Sequence, residues 1–172
     1  MLAIRGSSDV SDHSAPEIPV AAWTNGGDPV FIRSVLKFDL SSIPASVRVI
    51  SAKLSLYTDY TPLNEDLVHA NYGANNTMFI QRVITPWQMT NVTWQTQPAS
   101  EPDNQVIIPH TDQYFLDLNN IEVTSMVQKM VTSGNYGFMM RLQNEVTYTS
   151  RIFYSSKSSD ATKHPRLVIT YE

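Results

Sequence analysis

The chain contains no cysteine. That excludes a disulfide framework, a thiolate nucleophile and any thiolate metal site. Charge is also sparse, at 16% of 172 residues, which is low for a cytosolic enzyme and ordinary for a secreted β-protein. The net charge of −4 offers no cationic field for a polyphosphate backbone, so no nucleic-acid partner is expected. No apolar run approaches the ~20 residues of a bilayer-spanning helix, so no membrane insertion is expected. The opening Met1-Leu2-Ala3-Ile4-Arg5 lacks the apolar stretch of a signal peptide. A secreted or cell-surface location would therefore draw its leader from a longer parent. Nucleophile elbows of the G-x-S-x-G type, P-loops and G-x-G-x-x-G loops are absent as well. The four histidines, His13, His69, His110 and His164, never pair at metal-ligand spacing.

What is present is β-patterning. From Val49 to Thr58, Ile50, Ala52, Leu54 and Leu56 alternate with Ser51, Lys53, Ser55 and Tyr57. This is the signature of a strand with one face on a core. From Val30 to Leu40, Ile32, Leu36, Phe38 and Leu40 share one parity, and Arg33, Lys37 and Asp39 share the other. Ser41-Ser42-Ile43-Pro44 turns the chain between these two runs. Further strands are expected at 77–84, 105–108, 115–118, 137–143, 151–155 and 166–171, with polar turns between them. The long connections at 59–76 and 95–104 suit Greek-key crossings.

One segment departs from this period. Val123, Met126, Val127, Met130 and Val131 form one face of a short helix, with Thr124 or Ser125 as its cap and Gly134 just past its end. The expectation is a single domain over residues 1–172. Its class is all-β, an antiparallel β-sandwich of jelly-roll type with one short helix.

Ser34-Val35-Leu36-Lys37-Phe38-Asp39-Leu40-Ser41-Ser42-Ile43-Pro44, followed by Ser51-Ala52-Lys53-Leu54-Ser55-Leu56-Tyr57, resembles the "L-K/R-F-D-L-S-x-I-P" signature and the strand after it in the DNRLRE domains of exported bacterial and archaeal proteins. Trp87 with Val92-Thr93-Trp94-Gln95-Thr96-Gln97-Pro98 resembles the "W…V-T-W-x-x-Q-P" segment. Glu122-Val123-Thr124-Ser125-Met126-Val127 resembles the helix entry, and Ser150-Arg151 with His164-Pro165-Arg166-Leu167-Val168-Ile169-Thr170-Tyr171 resembles the closing segment. The first thirty residues match weakly. In this chain Gln88-Met89 follows the first Trp of that segment, where the family carries an acid, and Glu122 replaces the helix-entry Asp. The resemblance implies a carbohydrate-binding module of an exported protein, some relatives holding alginate-like acidic polysaccharides on a β-sandwich.

Strand parity alone directs Arg33, Lys37, Lys53 and Arg141 away from the core, together with Tyr57. Arg151 lies in a run too short to fix its parity and can join them. A sheet face of this kind suits carboxylate-bearing sugars, because guanidinium forks a carboxylate and an aromatic ring stacks on a pyranose. Ordinary solvated sheet positions would look the same. Trp87 and Trp94 read as packing residues, whereas Trp23, Tyr60, Tyr72 and Tyr148 fall in expected loops, as stacking platforms or as loop anchors. Asp9, Asp12, Asn25 and Asp28 supply oxygens suited to a structural calcium, but no D-x-D-x-D-G pattern specifies one. Beyond that calcium no cofactor is expected. Asp59, Glu65 and Asp66 cluster in sequence, as a solvated loop does, without the cleft-flanking pair a glycosidase needs. Taken together, these features point to a non-catalytic module, monomeric within a larger protein, with an anionic polysaccharide as partner. The alternative is a structural spacer or adhesive domain with no glycan affinity.

Overall fold

The computed structural model describes residues 2–6, 11–64 and 69–172. Its strands are β1 (Leu2–Arg5), β2 (Ser11–Asp12), β3 (Glu17–Asn25), β4 (Asp28–Leu36), β5 (Val49–Leu56), β6 (Met78–Val83), β7 (Ser100–Ile108), β8 (Leu118–Glu122), β9 (Phe138–Leu142), β10 (Thr149–Tyr154) and β11 (Arg166–Tyr171). One α-helix, α1 (Thr124–Ser133), and a 3-10 turn at Ala161–Lys163 complete the order. The larger sheet runs β10-β3-β4-β9-β6-β7, with β1 on β4 and β2 on β1; the smaller runs β11-β5-β8. All pairings are antiparallel. The sheets curl into a half-barrel, the all-β sandwich that the patterning indicates.

The main core joins both sheets and the helix. It contains Ile18 and Val20 of β3, Leu54 and Leu56 of β5, Met78 and Ile80 of β6, Phe138, Met140 and Leu142 of β9, and Met126, Val127 and Met130 of α1. Each such side chain contributes roughly 1.5–3 kcal/mol of gross burial. Met139, between two core residues of β9, packs in a separate cluster with Ile4, Val35, Val83 and Val92, against which Trp87, Trp94 and Tyr136 lie. So β9 is covered on both faces, which is why Phe138-Met139-Met140 reads as a continuous apolar run. Trp87 and Trp94 are packing residues, and the Trp87 indole N–H donates to the Tyr136 carbonyl at 2.8 Å.

The structure departs from the sequence patterning at defined places. Ile50 is exposed and Val49 takes its core position, because the pairing with β11 shifts register between Thr170 and Tyr171. Such a bulge reverses side-chain parity on one side of the shift. The strand expected at 115–118 is displaced to Leu118–Glu122. Residues 116 and 117 instead bond Thr58, whose Oγ1 accepts from the Leu116 N–H and whose own N–H donates to Asp117. β7 begins at Ser100, inside the expected loop, and β4 stops at Leu36. Three strands occupy the weakly patterned first thirty residues.

The helix start is also different. Thr124 does not cap the helix; its hydroxyl accepts the Ala52 N–H at 2.7 Å and so ties the helix to β5. Glu122 takes over the capping task, accepting the Thr124 N–H at 3.0 Å while bonding the Lys53 ammonium. Gly134 has φ +109 but an extended ψ of 131, outside the left-handed helical region.

The Lys53 hydrogen bond, followed by those from Thr124, holds the Glu122 carboxyl down at about 2. Protonating it disrupts the native contacts. The stability they provide is therefore complete above about pH 4.5 and is lost as pH falls toward about 2. Thermal denaturation across that window is expected to show a falling Tm in the native chain and a shallower fall in Glu122→Gln. Equal slopes would remove Glu122 from the acid response.

Candidate functional site

Five rings form a continuous row at one side of the larger sheet. Tyr148 and Trp23 stand 5.3 Å apart at 89°, and Trp23 and Tyr72 5.6 Å apart at 71°. His69 follows at 5.4 Å from Tyr72, and Tyr114 at 3.9 Å from His69. All are edge-to-face contacts, the geometry favoured by the ring quadrupoles. Tyr72 is 37% exposed, Tyr148 53% and Tyr114 57%. The three tyrosines thus leave aromatic surface open to solvent along one line of ring contacts.

The scaffold explains the convergence. Trp23 lies on β3, opposite Val30 of β4, and not in the expected loop. Tyr72 forms an isolated bridge with Ser150 of β10, exchanging N–H···O bonds of 3.0 and 3.1 Å. Because β10 pairs with β3, the bridge brings Tyr72 to Trp23. Tyr148 precedes β10 with φ +65. Gly73 permits the close approach of these segments. It has φ +95, and a methyl there would lie 2.6 Å from Thr149 Oγ1 and 2.8 Å from the Tyr148 carbonyl oxygen.

Two buried asparagines attach the Tyr114 segment. The Asn71 backbone N–H donates to the Tyr114 carbonyl and its side-chain amide to the Gln113 carbonyl, each at 3.0 Å. Asn76 donates to the Thr111 carbonyl and accepts the Thr111 N–H, also at 3.0 Å. Behind them Arg151 is fully buried. Its Nε donates to the Asn76 backbone and side-chain oxygens at 3.2 Å, and its Nη2 to the Pro109 carbonyl. Burial pulls this guanidinium down to about 10, so it remains cationic at neutral pH.

Two cavities adjoin the row. A groove of about 670 Å³ is lined by Asp12, Glu17, Trp23, Asn25, Asp28 and Asn64 among others. A smaller pocket of about 220 Å³ lies among His69, Asn71, Tyr72, Asn76, Asp112 and Tyr114.

The residues expected from parity lie elsewhere, and each has its own surroundings. Arg33 forks Glu145 at 2.7 and 2.8 Å, donates to Gln97 at 3.0 Å and covers Trp94 at 4.5 Å. Lys53 is on the smaller sheet, paired with Glu122. The Tyr57 ring already holds a cation, Lys163, at 5.3 Å. Arg141 covers Phe79 at 5.2 Å. Lys37 is exposed beyond the end of β4, beside a shallow hollow with Trp87 and Met89. Arg151, grouped with a ligand face, is instead sealed inside by its carbonyl partners. These six residues therefore do not share one face.

Asp9, Glu65 and Asp66 lie outside the described residues. Asp12 accepts from the Ser14 N–H and hydroxyl and the Ala15 N–H, as in a closed turn. Among the described residues no three His, Asp or Glu side chains converge as metal ligands, and no helix is long and apolar enough to cross a membrane.

The model of carbohydrate-binding module family 96 matches residues 28–171. No curated protein matches the chain.

Gly73→Ala is expected to cost about 1–3 kcal/mol from backbone strain alone and to shift tryptophan fluorescence as Tyr72 and Tyr148 move from Trp23. Denaturant unfolding with emission spectra checks both. An unchanged midpoint would show that the close approach is dispensable.

Proposed function

The chain belongs to carbohydrate-binding module family 96, and on that premise we propose that it holds a glycan without cleaving it, on the ring row from Tyr148 to Tyr114. The observation that carries this reading is the continuous contact of five rings, three of them on exposed tyrosines. Pyranose rings present axial C–H faces that pack on aromatic faces, while hydroxyls at their edges bond nearby polar groups. The edge-to-face contacts hold the rings in place before any ligand arrives. Little ordering entropy then opposes binding.

An acidic polysaccharide is the second reading. In its favour, no ion pair among the described residues includes Lys37 or Arg141. Such a ligand would bind away from the ring row and with strong salt dependence.

Affinity electrophoresis against alginate, polygalacturonate, β-glucans, xylan and mannan separates the two. On the leading reading Tyr148→Ala weakens binding by up to about tenfold, and Lys37→Ala with Arg141→Ala leaves it unchanged. Retention of alginate that disappears with the two cation variants and with added salt would move the site to those cations. Retention by none of the glycans would leave a structural spacer.

A further inference from the structure

We infer that an internal water joins Arg151 to Asn71 and helps to fasten to β10 the two segments that carry Tyr72 and Tyr114.

The strand pairing brings the two side chains together. Tyr72 and Ser150 form an antiparallel bridge and exchange both N–H···O bonds. In such a pairing the next residues along, Asn71 and Arg151, stand opposite each other, and their side chains share the face away from Tyr72 and Ser150. Both side chains then reach one further segment. The Asn71 amide donates to the Gln113 carbonyl at 3.0 Å, and Arg151 Nη2 donates to the Pro109 carbonyl. Between these two points Thr111 is held by Asn76, which also accepts from Arg151 Nε at 3.2 Å.

Each of the facing side chains keeps one polar atom unused. Asn71 is 3% exposed and Arg151 0%. Among the described residues, Asn71 Oδ1 and Arg151 Nη1 are buried without a hydrogen-bond partner. The first is an acceptor and the second a donor. Leaving either one desolvated and unmet is unfavourable.

The pair of atoms selects its occupant. A chloride would accept from the guanidinium but has no proton for the amide oxygen. A metal cation would suit that oxygen and be repelled by the guanidinium. Water both accepts and donates, and a buried water typically bridges roughly two to four such groups. It is also small enough for a place closed to solvent. Asn71 lines the pocket beside Tyr72 and Tyr114, yet its Oδ1 is sealed, so a ligand in that pocket does not reach it. The water adds a further neutral oxygen to the carbonyl and amide oxygens around Arg151. It exchanges with bulk solvent only when one of the two segments opens, which makes it long-lived.

The test is relaxation dispersion of the water oxygen, which reads water and no protein hydroxyl, together with water-to-protein NOE spectra. The native chain is expected to hold one more long-lived water than Asn71→Leu. Long-lived water cross-peaks are expected at the Arg151 Nε–H and at the Asn71 side-chain amide. Arg151→Lys, which keeps the charge and withdraws the fork, is expected to lose the same water. Equal water counts in the native chain and Asn71→Leu overturn the assignment. If neither variant folds, the native spectra decide, and the lack of an Arg151 cross-peak overturns it. Chloride line broadening that the native chain shows and Arg151→Lys lacks gives the place to a halide and overturns the water.

Discussion

A fully buried guanidinium with carbonyl oxygens for partners organises this end of the molecule. Arg151 extends from β10 to the Asn76 and Pro109 carbonyls and to the Asn76 side-chain oxygen. Among the described residues no carboxylate pairs with it. Desolvating a cation is costly, and here only oriented dipoles offset that cost. The segments bearing those dipoles are therefore fixed. Asn76 in turn bonds Thr111, and Asn71 bonds Gln113 and Tyr114. Two loops with little regular structure are thereby fastened to a sheet edge, and the rings they carry are fastened with them.

The strands were legible wherever one face is buried and the other solvated. The alternation from Ala52 to Tyr57 is an example, and the helix face from Val123 to Val131 another. Legibility failed where a bulge intervenes, since Ile50 and Val49 exchange roles through a register shift that leaves no mark on the local pattern. It failed again in the first thirty residues, where β3 is buried on consecutive positions, Glu17 to Ala22, and offers no alternation to read.

The candidate site was legible residue by residue but not as an assembly. Trp23, Tyr72 and Tyr148 each stood out as aromatic residues in polar surroundings. Their meeting depends on the Tyr72–Ser150 bridge and the β10–β3 pairing, which join positions far apart in sequence. Cations show the converse case. Parity gives a side chain's direction and says nothing of its neighbours: Arg33 points away from the main core, into a fork with Glu145 that is 112 residues distant. Among the described residues six lysines and arginines, Arg33, Arg48, Lys53, Arg82, Lys129 and Lys163, are engaged in ion pairs. The remaining distinctive surface is aromatic.

That surface is kept exposed against the ordinary preference of the fold. Burying Tyr72, Tyr114 and Tyr148 would gain roughly 25 cal/mol for each Å² of apolar area. Instead Tyr148 adopts a left-handed backbone at φ +65, a conformation that costs a bulky residue about 1–3 kcal/mol, while Gly73 takes its positive φ of 95 without that penalty. Asparagine or glycine at position 148 would relieve the strain. Strain and exposure coincide at Tyr148, whose ring edge also locks against Trp23. A packing role does not require that coincidence, since a packed ring needs neither an exposed face nor an unfavourable backbone. A ligand platform requires both a face left open and a scaffold stiff enough to keep it open.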